Sequence, residues 1–515
     1  MTSTTQITPQ DLGLPPKFAS WRPGQWESVE TTVLTDRRFI AQCGPTGFGK
    51  TGYAVASAIL TGGRALYLTA SKSLQDQLHN DGFTGLCEMR GRQNYPCTEH
   101  YGSSCNEGRI LGCRNSGCSY QTSRQAFLQS NLASTNYAYA LSSAIHSEGT
   151  GPTSILICDE AHQLVQEVCS AIEVRLNHYH NNSLYNTLQS FPPYGKPISH
   201  WRTWAKFLHP KVQSHLKSIK ESNNHKGLAT VDALAFSIER LANVPESWIL
   251  DESGKDETLV SPLWPTDHTH KYLFKEVPKV LLVSATVVPK TLQLLGVKEE
   301  ESLFLSQDHT FDPSRCPVYL YGPCRVDHKM SDGQWQEVIG RMDMLIERRL
   351  DRKGLIHPVS YQRQDDILRA TRNRSLMIAP RNAGELKAAI EEFRQAKPPA
   401  ILISPAITTG YDFPYDSAEF QIVIKVPFID SRSPVMKARN DADPEYLNYL
   451  TAQTLTQEIG RIMRSHDDRG ETIILDQHAG WFFKKHRDLF PPWFMRQVRY
   501  ANEPPAPPPP LSLAA

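Results

Sequence analysis

Four short stretches of the sequence hold the residue types that phosphate chemistry or metal ligation requires. The first, GPTGFGKT at 44–51, fits G-x-x-x-x-G-K-[ST]. Gly44, Gly47 and Gly49 let backbone amides wrap phosphate oxygens, with Pro45, Thr46 and Phe48 completing the loop. Lys50 then reaches the β and γ phosphates and Thr51 holds magnesium. The second, ILICDEAH at 155–162, runs an apolar strand into Asp159 and Glu160. In phosphoryl transfer one carboxylate holds the metal and a second group orients the attacking water, which suits Asp159 and Glu160 in that order. In the third, TQEIGRIMRS, a helix would put Gln457, Arg461 and Arg464 on one face, at i, i+4 and i+7. Two arginines so placed could meet a triphosphate presented by another domain while Gln457 positions water; spacing equally allows an exposed amphipathic helix.

The fourth stretch, CTEHYGSSCNEGRILGCRNSGCSY at 97–120, concentrates four of the ten cysteines, Cys97, Cys105, Cys113 and Cys118, separated by seven, seven and four residues. Structural zinc usually pairs its ligands as C-x₂₋₄-C, which only the last pair approaches. An iron-sulfur cluster accepts looser spacing. Spacing alone leaves zinc and iron-sulfur open, and a reducing compartment disfavours disulfides. Cys87 precedes the run by ten residues and is read as non-ligating, and Cys43, Cys158, Cys169, Cys316 and Cys324 as ordinary thiols.

These residues need a scaffold. Short apolar runs recur at FIAQC (39–43), ALYLT (65–69), SILIC (154–158), VLLVS (280–284), AILIS (400–404), QIVIK (421–425) and TIILD (472–476). Their alternation with helical segments predicts parallel sheets covered on both faces. The stretches 70–154 and roughly 170–275 lack such runs and read as insertions; the polar segment around 308–317 reads as a linker to a second sheet. NEPPAPPPPLSLAA at the end reads as a disordered or polyproline tail.

A chain of 515 residues, 40% hydrophobic and 21% charged, is expected to be soluble and to fold as two to four domains. It has no apolar run of 18 residues, and its polar start lacks the basic, then apolar pattern of a signal peptide, so a reducing, cytoplasmic location is expected. The net charge of +1 neither supports nor excludes a nucleic-acid partner.

The motifs together resemble a superfamily 2 helicase, specifically the XPD and DinG family of iron-sulfur DNA helicases. The matching elements, in family order, are RPGQ (22–25), GPTGFGKT, LTASKSLQDQL (68–78), RGRQNYPC (90–97), STNYA (134–138), CDEAH (158–162), VSAT (283–286), GLIHPVSY (354–361), SPAITTGYDFP (404–414) and QEIGRIMRS (457–465). The resemblance implies an α/β fold of two RecA-like P-loop helicase domains, with ATP, Mg²⁺ and a 4Fe-4S cluster as cofactors. By this reading the cluster sits on Cys97, Cys105, Cys113 and Cys118. The implied division is 1–83, 131–167 and 276–309 for the first motor domain, 84–130 for the iron-sulfur domain, 168–275 for a helical arch, 310–500 for the second motor domain, and 501–515 for the tail.

It further implies that Arg22 and Gln25 contact adenine, that Ser284 and Thr286 link nucleotide state to DNA grip, and that Gly410 and Asp412 couple the motors. Thr69, Gln75 and Asn136 would line the single-strand path. Arg90, Arg92, Arg109, Arg114 and Arg124, with Tyr95, Tyr101 and Tyr120, would give the cysteine domain a surface for phosphates and bases. The sequence departs from the family at Thr409, at Ser119-Tyr120 after the last cysteine, and at Pro358. The expected activity is ATP-driven 5′ to 3′ movement of a monomer on single-stranded and forked DNA, in repair or replication, with no membrane partner. The alternatives are a helicase or ATPase acting on RNA or an RNA-DNA hybrid, and a zinc-bearing nucleic-acid binding switch.

Overall fold

A computed structural model describes residues 7–178, 191–222, 227–254, 256–308, 312–407, 411, 413–462 and 468–508. In chain order the strands are β1 Phe39–Cys43, β2 Ala65–Thr69, β3 Leu86–Glu88, β4 Leu132–Asn136, β5 Ile155–Asp159, β6 Val174–Asn177, β7 Ile249–Asp251, β8 Glu257–Ser261 and β9 Lys279–Ser284. The remainder are β10 Ser302–Ser306, β11 Val318–Cys324, β12 Lys353–His357, β13 Met377–Ile378, β14 Ala400–Ile403, β15 Phe420–Val423, β16 Glu471–Asp476 and β17 Val498–Tyr500.

Two seven-stranded sheets result, β10-β1-β9-β5-β2-β4-β3 and β13-β14-β12-β15-β16-β11-β17, and every pairing in them is parallel. The continuous apolar runs become strands because both sheet faces are covered. In β1, β5 and β9, Phe39, Leu156 and Leu282 enter one core cluster while Ile40, Ile157 and Leu281 enter another. The first of those clusters also takes Val318 and Ile474 from the second sheet, so one apolar core runs across both sheets.

Each insertion starts from a strand end. Between β2 and β4 lie β3 and the helices Cys105–Ile110 and Ser119–Gln129. Between β5 and β9 lie the helices Ile198–Glu221 and Leu228–Asn243, packed around Trp201, Leu208, Val212 and Ile238, together with the antiparallel sheet β6-β8-β7. That small sheet is absent from the sequence reading, which expected only helices. Ile110 of the first insertion packs into the core of the second.

The strand β12 is central, between β14 and β15, and its pairing ends at His357, just before Pro358. The tail is ordered as far as it is described. Arg348, Arg349 and Arg352 donate to the carbonyls of Pro504 (3.4 Å), Pro505 (3.0 Å) and Pro508 (2.8 Å). Proline-rich backbone keeps its carbonyls free, and a row of guanidinium groups takes them up.

Candidate nucleotide site and cysteine domain

The strands β1, β9 and β5 are neighbours, and their carboxyl ends deliver the P-loop, the Ser284–Thr286 turn and the Asp159-Glu160 pair to one place. Ligands of open α/β sheets bind at such ends. Gly47 and Gly49 have φ of 90° and 80°. A Cβ on Gly49 would lie 2.6 Å from the amide nitrogen of Gln25. Lys50 opens the helix Lys50–Thr61, and its Nζ donates to the Gly44 carbonyl at 3.3 Å. Phe48 differs from its loop neighbours: its ring is fully buried in the core, 5.6 Å from Tyr53, so only its backbone can serve a phosphate.

Arg22 and Gln25 brace the P-loop. Arg22 donates to the Gly47 carbonyl, and the Gln25 side chain donates to the Gly49 carbonyl at 2.9 Å while accepting from the Arg22 amide at 2.9 Å. A cleft lined by Trp21, Arg22 and Trp26 opens beside them.

Asp159 is held by Tyr67 Oη (3.2 Å) and the Glu160 amide (2.9 Å). Burial, with Glu160 beside it, pushes its carboxyl up to about 7, and Lys50 works against that shift. Thr51 bonds the same Tyr67 hydroxyl, so Thr51 and Asp159 share a neighbourhood fit for a hard cation. Glu160 adopts a left-handed backbone, φ 52°, that turns its carboxylate toward His162 (3.3 Å) and Ser284 (3.4 Å).

From there a chain of polar contacts crosses to the second domain. His162 Nδ1 bonds Ser284 Oγ at 2.7 Å, and Gln457 of the helix Tyr446–Ile459 donates to His162 Nε2. Burial depresses the His162 pKa, which keeps the ring neutral and able to accept from Gln457. Gln453 donates to the Thr286 carbonyl (2.9 Å), Trp493 to the Ala285 carbonyl (2.9 Å), and Thr291 pairs with Tyr449 (2.9 Å).

Arg461 lies under the same junction, donating to the Tyr411 carbonyl at 3.1 Å. Burial lowers its pKa, with Glu458 and Glu160 opposing. Gly410, Asp412 and Arg464, and Thr409 before them, lie outside the described residues. His162, Gln453 and Trp493 were missed as site residues. The DEAH string was the available signal for His162; nothing local marks the other two.

The expected single-strand residues face inward. Gln75 is fully buried and Thr69 nearly so. Gln75 bonds the Met89 carbonyl (2.9 Å) and Asn136 (3.2 Å), and Asn136 caps the helix Tyr137–Ile145 by accepting from the Tyr139 amide (2.9 Å). Gln75 and Asn136 thus fasten the base of the first insertion, and Thr69 donates to the Ser71 carbonyl at 3.1 Å.

Most of the basic residues of that insertion are likewise committed. Arg90 pairs with Asp76 and Glu88, Arg92 with Glu148 (3.0 Å), and Arg109 with Asp232 (3.0 Å) across to the helix Leu228–Asn243. Arg124 donates to Tyr139 Oη and the Glu148 carbonyl, both at 2.8 Å. Arg92 also lies over Tyr120, which Tyr95 meets edge-on at 5.4 Å. Arg114 and Tyr101 remain exposed.

All ten cysteines are free thiols. The four in question fall into two neighbouring pairs, Cys97 with Cys113 and Cys105 with Cys118. Cys105 opens one helix of the insertion and Cys118 caps the other. Gly108 sits against the first pair, where a Cβ would lie 2.3 Å from Cys97 Sγ. Among the described residues no three His, Cys, Asp or Glu side chains are gathered closely enough to hold a metal ion. Cys87 lies in β3, outside both pairs.

Residues 346–497 match the model of a helicase C-terminal domain, and residues 104–180 match the DEAD_2 model. The chain is 25% identical over 145 residues to the helicase subunit XPD/RAD3 of general transcription and DNA repair factor IIH from Saccharomyces cerevisiae, covering 25% of this chain. It is 27% identical over 130 residues to the ATP-dependent DNA helicase DinG of Photobacterium profundum, covering 22% of this chain. The chain is similar to superfamily 2 helicases of the XPD and DinG type. Its aligned stretch spans only 18% of the length of each of those relatives. The fold agreement is broader: a solved XPD helicase structure matches with a TM-score of 0.64 at 14% identity, over 93% of this chain and 98% of that one. A second XPD structure, of an apo form, gives 0.63, over 93% and 99%. The XPD/DinG-like chain therefore has the two RecA-like domains that its motifs predicted. No helix among its described residues is long and apolar enough to cross a membrane.

Proposed function

We propose that the chain is an ATP-dependent DNA helicase that advances on single-stranded DNA from 5′ to 3′ and parts the duplex at its cysteine-bearing insertion. The observation that carries this reading is the polar chain Glu160, Ser284, His162, Gln457, which joins the carboxylate pair of one RecA-like domain to the helix of the other. Nucleotide bound at the P-loop would draw Lys50 from the Gly44 carbonyl onto phosphate. Thr51 and Asp159 would hold magnesium, which neutralises phosphate charge. Glu160 would orient the attacking water, and Arg461 with Arg464 would meet the charge that develops. Because Gln457 reads Glu160 through His162, loss of the γ phosphate would loosen the contact between the domains.

We assign the divisions 1–83, 131–167 and 276–309 to the first motor domain and 310–500 to the second, with 84–130 and 168–275 as the insertions. The four paired thiols of the first insertion suit a 4Fe-4S cluster, which takes four thiolates and would stiffen a segment too small for a core of its own. Iron and sulfide analysis of anaerobically prepared protein should find about four irons per chain; a colourless chain with one zinc would remove the cluster.

Strand displacement on forked DNA tests the function directly. The parent chain should unwind with ATP, and Lys50→Ala should abolish unwinding while leaving strand binding intact. Unwinding by that variant would show that the site is wrongly assigned, and activation only by RNA would overturn the DNA reading.

A further inference from the structure

A single buried hydroxyl lies between the two residues suited to magnesium, and none of the sequence motifs contains it. Tyr67 is the third residue of β2 and is 1% exposed; the motif on this strand begins one residue later, at Leu68. β2 runs beside β5, with Tyr67 in register with Ile157, two positions before Asp159. The ring enters the core cluster that holds Ile157 of β5 and Tyr53 and Ala54 of the helix Lys50–Thr61. A strand covered on both faces calls for an apolar side chain here, and a buried tyrosine needs partners for its hydroxyl. Those partners are Asp159 and Thr51.

A phenol carries one hydrogen, and Tyr67 donates it to Asp159 Oδ2 at 3.2 Å. The bond between Tyr67 and Thr51 therefore uses the Thr51 hydrogen, which leaves lone pairs of the Thr51 oxygen free. The other carboxylate oxygen, Oδ1, accepts from the Glu160 amide at 2.9 Å, and Tyr137 Oη donates to the Asp159 carbonyl at 2.7 Å. Asp159 is thus fixed at its backbone and at both carboxylate oxygens, each of which keeps a free lone pair. Hard cations take oxygen ligands, and the groups that bond those ligands orient them and tune the affinity.

We infer that Tyr67 is a positioning residue of the metal site, its hydroxyl holding Thr51 and Asp159 together with lone pairs left for the cation that accompanies the nucleotide. Tyr67 acts only through these two side chains. The inference rests on the nucleotide-site reading of the P-loop and carboxylate pair. A purely structural hydroxyl is the competing account, and Tyr53 supplies the comparison: it is fully buried in the same cluster, and its hydroxyl pairs with Thr32 at 2.6 Å, away from the metal site.

The test reads Mn²⁺ affinity by electron paramagnetic resonance, on the full chain with a non-hydrolysable ATP analogue, and binding of the analogue without metal by calorimetry. Tyr67→Phe, which removes one oxygen, should weaken Mn²⁺ binding by about 10- to 100-fold and leave metal-free binding of the analogue unchanged. Tyr53→Phe should leave both unchanged. ATP turnover by Tyr67→Phe should recover towards that of the parent as Mg²⁺ is raised. Equal Mn²⁺ affinities of Tyr67→Phe and parent would overturn the inference, as would equal losses in the two tyrosine variants. A Tyr67→Phe chain that does not fold would overturn it too, because the hydroxyl would then serve the fold rather than the metal. A parent chain that binds the analogue neither with metal nor without it would instead overturn the nucleotide-site reading.

Discussion

Burial rather than ion pairing sets the unusual protonation states of single side chains. His357 closes β12, fully buried against Gln421 (3.1 Å), and burial depresses its pKa to about 4. The unfolded chain takes up this proton near pH 6.5, whereas the folded one refuses it until about pH 4. The neutral ring therefore contributes stability that is complete above the unfolded value and is lost as pH falls from 6.5 towards 4, about 3 kcal/mol. His357→Gln should flatten the loss of thermal stability over that range; an unchanged slope would mean that other groups carry it. Glu458, which burial pushes up to about 8, lies next to Gln457 inside QEIGRIMRS but drew no role from the sequence, because only its depth in the domain junction makes it unusual.

Among the elements, the strands were the legible part. Runs such as FIAQC and TIILD became β1 and β16 because a strand covered on both faces must be apolar throughout. The edge strands β3, β13 and β17 have three, two and three residues and little apolar pattern, so the sequence showed none of them. The docking of residues 504–508 was not legible for a related reason. Their proline composition excludes a helix or a ladder strand but says nothing about the arginine row that receives them. Arg349 lies fully buried with Glu471, bonded through two nitrogens at 2.7 and 2.9 Å, and its remaining donors go to the carbonyls of Leu345 and Pro505. Truncation after residue 503 should cost the second domain about 1–3 kcal/mol by removing carbonyl partners of charged donors. Glu471→Ala should cost more, about 3–5 kcal/mol, since it leaves a buried guanidinium without its counter-ion. Chemical denaturation of both variants checks the order, and equal losses would refute it.

Across the whole molecule, the second domain grips both the domain of the first sheet and the second insertion. Arg439 of the helix Pro434–Ala442 is buried at 4% exposure, donating to the Leu263 carbonyl (2.9 Å) and Ser261 Oγ (3.1 Å), with Glu173 at 3.9 Å. Lys290 pairs with Asp443 at 2.7 Å across the same boundary. A shift between the motor domains should therefore be felt by the small sheet β6-β8-β7. Arg439→Gln should reduce unwinding more than strand-stimulated ATP turnover, and equal losses would place Arg439 in hydrolysis instead. Taken alone, the sequence determined the phosphate loop, the carboxylate pair, the parallel sheets and the order of the motifs, because those depend on local spacing and on apolar runs. Only the tertiary structure decided that β9 separates β1 from β5, that Gln457 reaches Glu160 through His162, and that Gln75 and the insertion's arginines are consumed by internal partners. Those outcomes depend on contacts between residues tens to hundreds of positions apart, where a polar side chain's neighbours, and not its type, fix whether it faces a ligand or the protein.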